Sequence, residues 1–582
     1  MKKLGILLLA LTCLTCQQKN SNNTFITQFE KSGGTETPEY IDVISYYKEL
    51  SNSYPEISFF EMGETDAGYP LHIVVFNTDG KTQLNRIKNS TKNRVLINNG
   101  IHPGESDGID ASMLLLRDIV QNDSLKKSYQ NTLIVVIPIY NIGGSLNRNS
   151  HTRANQNGPK EYGFRGNTRN YDLNRDFVKQ DTKNAAAFAK IFHTIDPDIF
   201  IDNHVSNGAD YQYAISHLFT QHNKLGGALG KFIETQMRPA LESSMMQKKI
   251  PITPYVNVWG GTPKEGWSQF YDSPRYSTGY TTLFNTLGMM VETHMLKPYK
   301  IRVEQTYELL LSMLDFTEER SVDIKIVRKN AIDKILKKKI YPITFEINPK
   351  KEPSVIQFRG YEGEIMDSKV TNGKRLLYDA TKPYLEPVDY FNEYRSTKEI
   401  TIPKAYILKQ GWHRVVERLK NNQIFYTQFK KDTTLVVETL HIDDYKTRTS
   451  AYEGHYLHYN TSVKIDSNAV HFSKGDLYIP VHQKGARYIM ETLEPEATDS
   501  FFNWNFFDSV LQQKEGYSGY VFEDVAEQIL KENTTIKDAF EAKMAIDKDF
   551  EKNPRAQLNF IYKRSLHYEK AHLLLPIYKA YE

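Results

Sequence analysis

Val95-Leu96-Ile97-Asn98-Asn99-Gly100-Ile101-His102-Pro103-Gly104-Glu105 is the stretch that decides the fold. Val95–Asn99 opens as an apolar, partly β-branched run, which predicts a strand, and Ala111–Val120 beyond it has the spacing of a helix. Strand, loop and helix in that order place His102 and Glu105 on a loop at the carboxyl edge of a sheet, where open α/β sheets take their ligands. An imidazole and a carboxylate three residues apart on a tight turn can coordinate one zinc ion, and Pro103-Gly104 supplies the turn. Of the 16 histidines in the chain, His102 alone is followed by Glu at the third position.

Outward from that unit, short β-branched runs alternate with amphipathic stretches from about residue 24 to 320. This is the rhythm of an α/β domain, expected over residues 24–325. Strands are predicted at Leu71–Phe76, Val95–Asn99, Thr132–Ile139, Asp198–Asp202 and Met289–Glu292. Several are continuously apolar, as strands covered on both faces should be. Helices are predicted at Ala111–Val120, Asn184–Ile195 and Leu225–Met237. Past 325 the texture changes to turn-interrupted strands (Tyr341–Ile347, Lys398–Leu408, Ile424–Phe429, Thr434–Leu440), a β-rich region expected over 326–484. Glu523–Leu530 and Ile536–Met544 then predict a helical C-terminal segment over 485–582. A chain of 582 residues is too long for one core, so several units are required.

Lysine and arginine (73) nearly balance aspartate and glutamate (70), which gives no electrostatic reason for a nucleic-acid partner. Both cysteines, Cys13 and Cys16, lie at the extreme N-terminus, so any metal further on must be held by histidine and carboxylates. Lys2 and Lys3 precede an apolar run from Leu4 to Leu14, too short to span a membrane as a helix and of the form of a secretory signal. Leu14-Thr15-Cys16 resembles a bacterial lipoprotein box. Residues 1–15 then read as a signal peptide, Cys16 as a lipidated N-terminus and 16–23 as a polar tether, with a plain cleaved signal or a single-span anchor as alternatives. The chain is expected to be exported, periplasmic or at the cell surface, with its lipid as the membrane attachment.

The chemistry accumulates downstream. Asp198–Asp202 runs into Asn203-His204 at the carboxyl end of a predicted strand, and His204 is a credible third metal ligand. Three protein ligands plus an open position is the composition of a catalytic zinc site. Asn170-Tyr171-Asp172-Leu173-Asn174-Arg175-Asp176-Phe177 lies between two elements. Arg175 there could clamp a carboxylate through paired N–H donors, with Asn174 assisting. Gly288-Met289-Met290-Val291-Glu292 ends an apolar strand on a carboxylate, a natural general base for a zinc-activated water.

In this order, His102/Glu105, Asn174/Arg175, His204 and Glu292 resemble the M14 zinc carboxypeptidases, the carboxypeptidase A-like family, over about 300 residues. The resemblance implies a mixed sheet flanked by helices, one zinc per chain on His102, Glu105 and His204, and Glu292 as base or acid. It implies that Asn174 and Arg175 hold a terminal carboxylate and that Asp172 orients His102. It also implies an oxyanion-stabilising arginine upstream, for which Arg148 and Arg153 are in range and Arg153 is preferred. A tyrosine that closes over substrate is expected among Tyr271, Tyr276 and Tyr280, with Tyr280 preferred. The reading is a zinc metallocarboxypeptidase acting on the C-termini of peptides. Rival readings are a peptidoglycan-peptide hydrolase on the same scaffold and a non-catalytic peptide-binding lipoprotein. His217, His222 and His294 read as structural, and the aromatic run Phe501-Phe502-Asn503-Trp504-Asn505-Phe506-Phe507 as packing core.

Overall fold

A computed structural model of the protein describes residues 25–581; the leader, with Cys13, Cys16 and the tether, lies outside the described residues. In chain order the first strands are β1 (Ile57–Glu64), β2 (Pro70–Phe76), β3 (Asn93–Asn98), β4 (Thr132–Ile137), β5 (Ile199–Ser206), β6 (Ile215–Phe219), β7 (Ile252–Pro254), β8 (Trp267–Ser268) and β9 (Leu287–His294). All but β8 join one mixed sheet of order β1-β2-β4-β3-β5-β9-β6-β7. Its centre, β4-β3-β5-β9, is parallel. Every residue of β3, β4 and β5 is buried, which is why they read as apolar runs without alternation.

Alternate residues of these strands feed two separate cores. Val95, Ile97, Ile199 and Ile201 pack on one face with the helices Asp107–Gln121 and Tyr299–Glu319. Leu96 and Phe200 face the other side, against Phe188 and Phe192 of the helix Lys183–Ile195. That second core runs without a break into the C-terminal region, taking in Tyr406, Tyr488, Phe501 and Trp504. The two halves of the chain are therefore joined by a shared hydrophobic layer rather than a linker. The run Phe501–Phe507 supplies part of that layer, with Trp504 fully buried.

In the C-terminal region β10 (Ile340–Ile347) pairs with β13 (Tyr394–Thr401). Between them β11 (Ser354–Asp367) and β12 (Lys374–Phe391) form a long hairpin that pairs with β8. The strands β14 (Ala405–Leu408), β15 (Thr427–Gln428), β16 (Thr433–Thr447), β17 (His458–Phe472), β18 (Leu477–Pro480) and β19 (Leu574–Ala580) form a six-stranded sheet of order β15-β18-β14-β19-β16-β17.

Here the structure departs from the sequence reading. The stretch Lys398–Leu408 is divided between β13 and β14, since Pro403 lacks the N–H that a continuous ladder needs. The hairpin 354–391 and the strand β17 were not anticipated, because their faces are largely exposed and leave no apolar run. The helix Ser321–Ile335 crosses the boundary expected at 325. The C-terminal segment does carry helices at Gly519–Glu532, Thr534–Ile546 and Pro554–Tyr562, but it is not purely helical. Its last strand, β19, returns to the sheet between β14 and β16, burying Leu575 and Ile577. Among the described residues no helix is long and apolar enough to cross a membrane.

Candidate active site

At the carboxyl edge of β3, β5 and β9 lies a cavity of about 390 Å³. The turn after β3 is closed by Glu105 N–H donating to His102 O at 2.8 Å. Gly104 is favoured in it, since a Cβ there would lie 2.9 Å from the Gly163 carbonyl oxygen and 2.5 Å from Arg153 Cδ. On the sheet itself, His204 of β5 is in register with Glu292 of β9, so both side chains emerge on the same face as neighbours.

His102, Glu105 and His204 are buried together, with one donor atom from each inside a 4.8 Å cluster. Both imidazoles turn Nδ1 toward Glu105 Oε2, each at 3.1 Å. Their Nε2 atoms are engaged elsewhere: His102 with Asp172 Oδ1 at 2.9 Å, His204 with Asp202 Oδ2 at 2.8 Å. A carboxylate on the far nitrogen fixes the tautomer and raises the basicity of the near one, the usual support for a metal-ligating histidine. The donor set therefore fits a cation such as zinc. Asp202 was missed in the sequence although Asp-x-His on a strand puts both side chains on one face. It also accepts from Asn98 Nδ2 at 3.1 Å and from Ser277 Oγ.

Glu292 lines the cavity, and burial pushes its carboxyl up to about 8, with the like charges of Glu105 and Asp202 adding to the effect and His204 opposing it. Burial works against the ionised form of Glu105 too, but His102 and Arg153 hold it well below the usual carboxylate range.

Asn174 and Arg175 line the same cavity. Asp172 caps their short turn by accepting from Asn174 N–H at 2.9 Å, and Asn174 Oδ1 accepts from Ser277 N–H at 3.0 Å. The Arg175 guanidinium lies 4.5 Å from the Tyr276 ring centroid.

Two expected positions need correction. Arg153 does not line the cavity: its Nη1 pairs with Glu105 Oε1 at 3.0 Å and its Nε donates to Gln156, so it holds Glu105 from behind. Arg148 is spent on the backbone carbonyls of Thr37, Pro38 and Glu161. Besides Arg175, the arginine that lines the cavity is Arg165, whose side chain is 45% exposed, with Nη2 2.8 Å from Asp172 Oδ2 and Nη1 3.3 Å from His102 Nδ1. Tyr280 is fully buried on the core side of the helix Ser277–Thr282, among Phe177, Phe192 and Phe284, and donates to Asn422 Oδ1 at 2.6 Å. Tyr276, at the N-cap of that helix, and Tyr255 line the cavity instead. His217, His222 and His294 lie off the donor cluster, each beside a carboxylate of its own: Glu242, Glu393 and Asp210.

The zinc carboxypeptidase family matches residues 43–308, the span that contains every residue lining this cavity. Over this span the chain is similar to the zinc carboxypeptidases. The chain is accordingly a hydrolase of metallocarboxypeptidase type. Carboxypeptidase 2 of Trichophyton rubrum is 20% identical over 488 residues, 81% of this chain and 84% of that protein. The metallo-carboxypeptidase of Burkholderia cenocepacia is similar over 48% of this chain and 68% of its own, with a TM-score of 0.34 and 16% identity. Bovine thrombin-activatable fibrinolysis inhibitor is similar over 51% of this chain and 99% of its own, with a TM-score of 0.37 and 14% identity.

Proposed function

We propose that the chain is a zinc-dependent carboxypeptidase that releases apolar or aromatic residues from the C-termini of peptides. The observation that carries this is a single cavity lined by the His102–Glu105–His204 donor set, by Glu292 and by Arg175. His102, Glu105 and His204 would hold one zinc ion per chain. When bound, zinc acts as a Lewis acid that acidifies a water and polarises the scissile carbonyl. The positive charge of a bound cation would favour the ionised form of Glu292, whose carboxylate takes the proton of the attacking water and returns it to the leaving amine. Arg165 donates to the oxygen on which negative charge develops. Asn174 and Arg175 hold the terminal carboxylate through charge-assisted hydrogen bonds. Leu218, Tyr255, Phe270 and Met290 line the rest of the cavity, and the only acidic side chains among the lining residues are Glu105 and Glu292. Nothing there would pair with a basic side chain, whereas an apolar one gains from leaving water.

The test is a matched series of free-acid and C-terminally amidated peptides ending in Phe, Leu or Lys. Single-residue release from free-acid Phe and Leu peptides, lost on chelation and restored by zinc, is the expected result. Equal cleavage of amides, or internal cuts, would remove the carboxypeptidase reading. Export with lipid attachment at Cys16 is part of the same proposal, supported by the leader; Cys16→Ser should move the protein from the membrane fraction to the soluble one, and unchanged fractionation would end that part.

A further inference from the structure

At the tip of the β16–β17 hairpin, four consecutive residues of the C-terminal region meet the segment 171–181. Tyr452 Oη accepts a hydrogen bond from Arg175 Nε at 3.1 Å. Glu453 Oε2 accepts from Asp172 N–H at 2.9 Å. Gly454, at φ +78°, lies against Tyr171 so closely that a Cβ would come 2.6 Å from its Oη. His455 Nε2 lies 2.6 Å from Asp181 Oδ2. The tip itself is stiff: Tyr452 N–H donates to His455 O at 2.7 Å and His455 N–H to Tyr452 O at 3.1 Å. The Tyr452 ring stacks on the buried Trp504 at 6.2 Å and 22°. Arg275, paired with Asp499 at 2.7 Å, lies 5.0 Å from the Trp504 ring and 5.7 Å from that of Tyr452.

Neither Tyr452 nor any other residue past 325 lines the cavity, so Tyr452 stands behind the arginine rather than against a substrate. Arg175 Nη1 donates to Asn174 O at 2.9 Å, and among the described residues Nη2 donates to no protein group. With Nε taken by Tyr452 and one face covered by Tyr276, the guanidinium is left with its Nη1–Nη2 edge to present. A planar fork binds a carboxylate well only when its edge is held in the carboxylate plane.

We infer that Tyr452 is a positioning residue for recognition of the substrate's terminal carboxylate, through which the C-terminal region completes the exopeptidase site from behind Arg175. The inference rests on the carboxypeptidase reading. In the full-length zinc-loaded protein, Tyr452→Phe removes one acceptor and leaves the ring packed on Trp504. KM for a free-acid peptide should then rise roughly tenfold with kcat within about twofold, and the preference for free acid over amide should shrink by the same factor. In an Arg175→Ala background the same change should add nothing further. Parental KM and parental acid-to-amide preference in Tyr452→Phe would overturn the inference. So would an equal loss on both substrates accompanied by lower zinc content or melting temperature, which marks a structural role alone. A parent enzyme without any preference for free acids would be a different failure, that of the carboxypeptidase reading itself.

Discussion

The strand-borne half of the site and the loop-borne half are built differently. His204 and Glu292 sit in register on adjacent parallel strands, and the ladder fixes where both point. Arg165, Asn174 and Arg175 sit outside the sheet, and side-chain contacts aim them: Asp172 under Arg165 and Asn174, Ser277 on Asn174, Tyr276 and Tyr452 on Arg175. The difference teaches that a strand end carries its own orientation in its two-residue period, whereas a loop residue borrows orientation from whatever packs against it.

The sharpest way to break this comparison is at the strand-borne ligand. His204→Ala leaves two protein ligands, so zinc content by metal analysis and peptidase activity should fall together to background. Full zinc occupancy in that variant would show that the metal lies elsewhere. Glu292→Gln should retain zinc and fold, since the amide is isosteric. It should lose on the order of 10²–10⁴ in kcat, because an amide cannot accept the proton. Near-parental turnover would move the base off β9.

The loop-borne half is sharpened by a pair of arginines. Arg165→Ala should lower kcat by about 10²–10³ with zinc retained, the usual cost of removing one donor to a developing oxyanion. Arg153→Ala should act on metal retention first, because it removes the nearer of the two arginines paired with Glu105, at 3.0 Å against 3.5 Å for Arg165. The reverse outcome, with kcat lost in Arg153→Ala at full zinc and Arg165→Ala unaffected, would return the oxyanion role to Arg153.

The sequence by itself determined the α/β half, the donor set His102, Glu105 and His204, and the strand end at Glu292. These depend on local features: apolar runs long enough to be covered strands, a Pro-Gly turn, and polar residues where a strand stops. It also brought out Asn174 and Arg175, while Asp172 entered through the family resemblance; the three share one short capped turn. Only the tertiary structure brought out Arg165, which the sequence reading did not offer beside Arg148 and Arg153, since all three are loop arginines upstream of the same motif. The guanidiniums of Arg153 and Arg165 both pair with Glu105; what separates them is that Arg153 turns its Nε to Gln156 and stays off the cavity, while Arg165, braced on Asp172, lines it. It decided between Tyr276 and Tyr280 for a similar reason: Tyr276 stands before the helix in extended backbone and faces the cavity, while Tyr280 lies inside the helix and the shared hydrophobic layer claims it. The contact of Tyr452 with Arg175, 277 residues apart in the chain, was beyond any local pattern. It exists because the core under the first sheet continues into the second region and brings the β16–β17 hairpin tip to the site, and burial of that kind is a property of the assembled surfaces rather than of either segment.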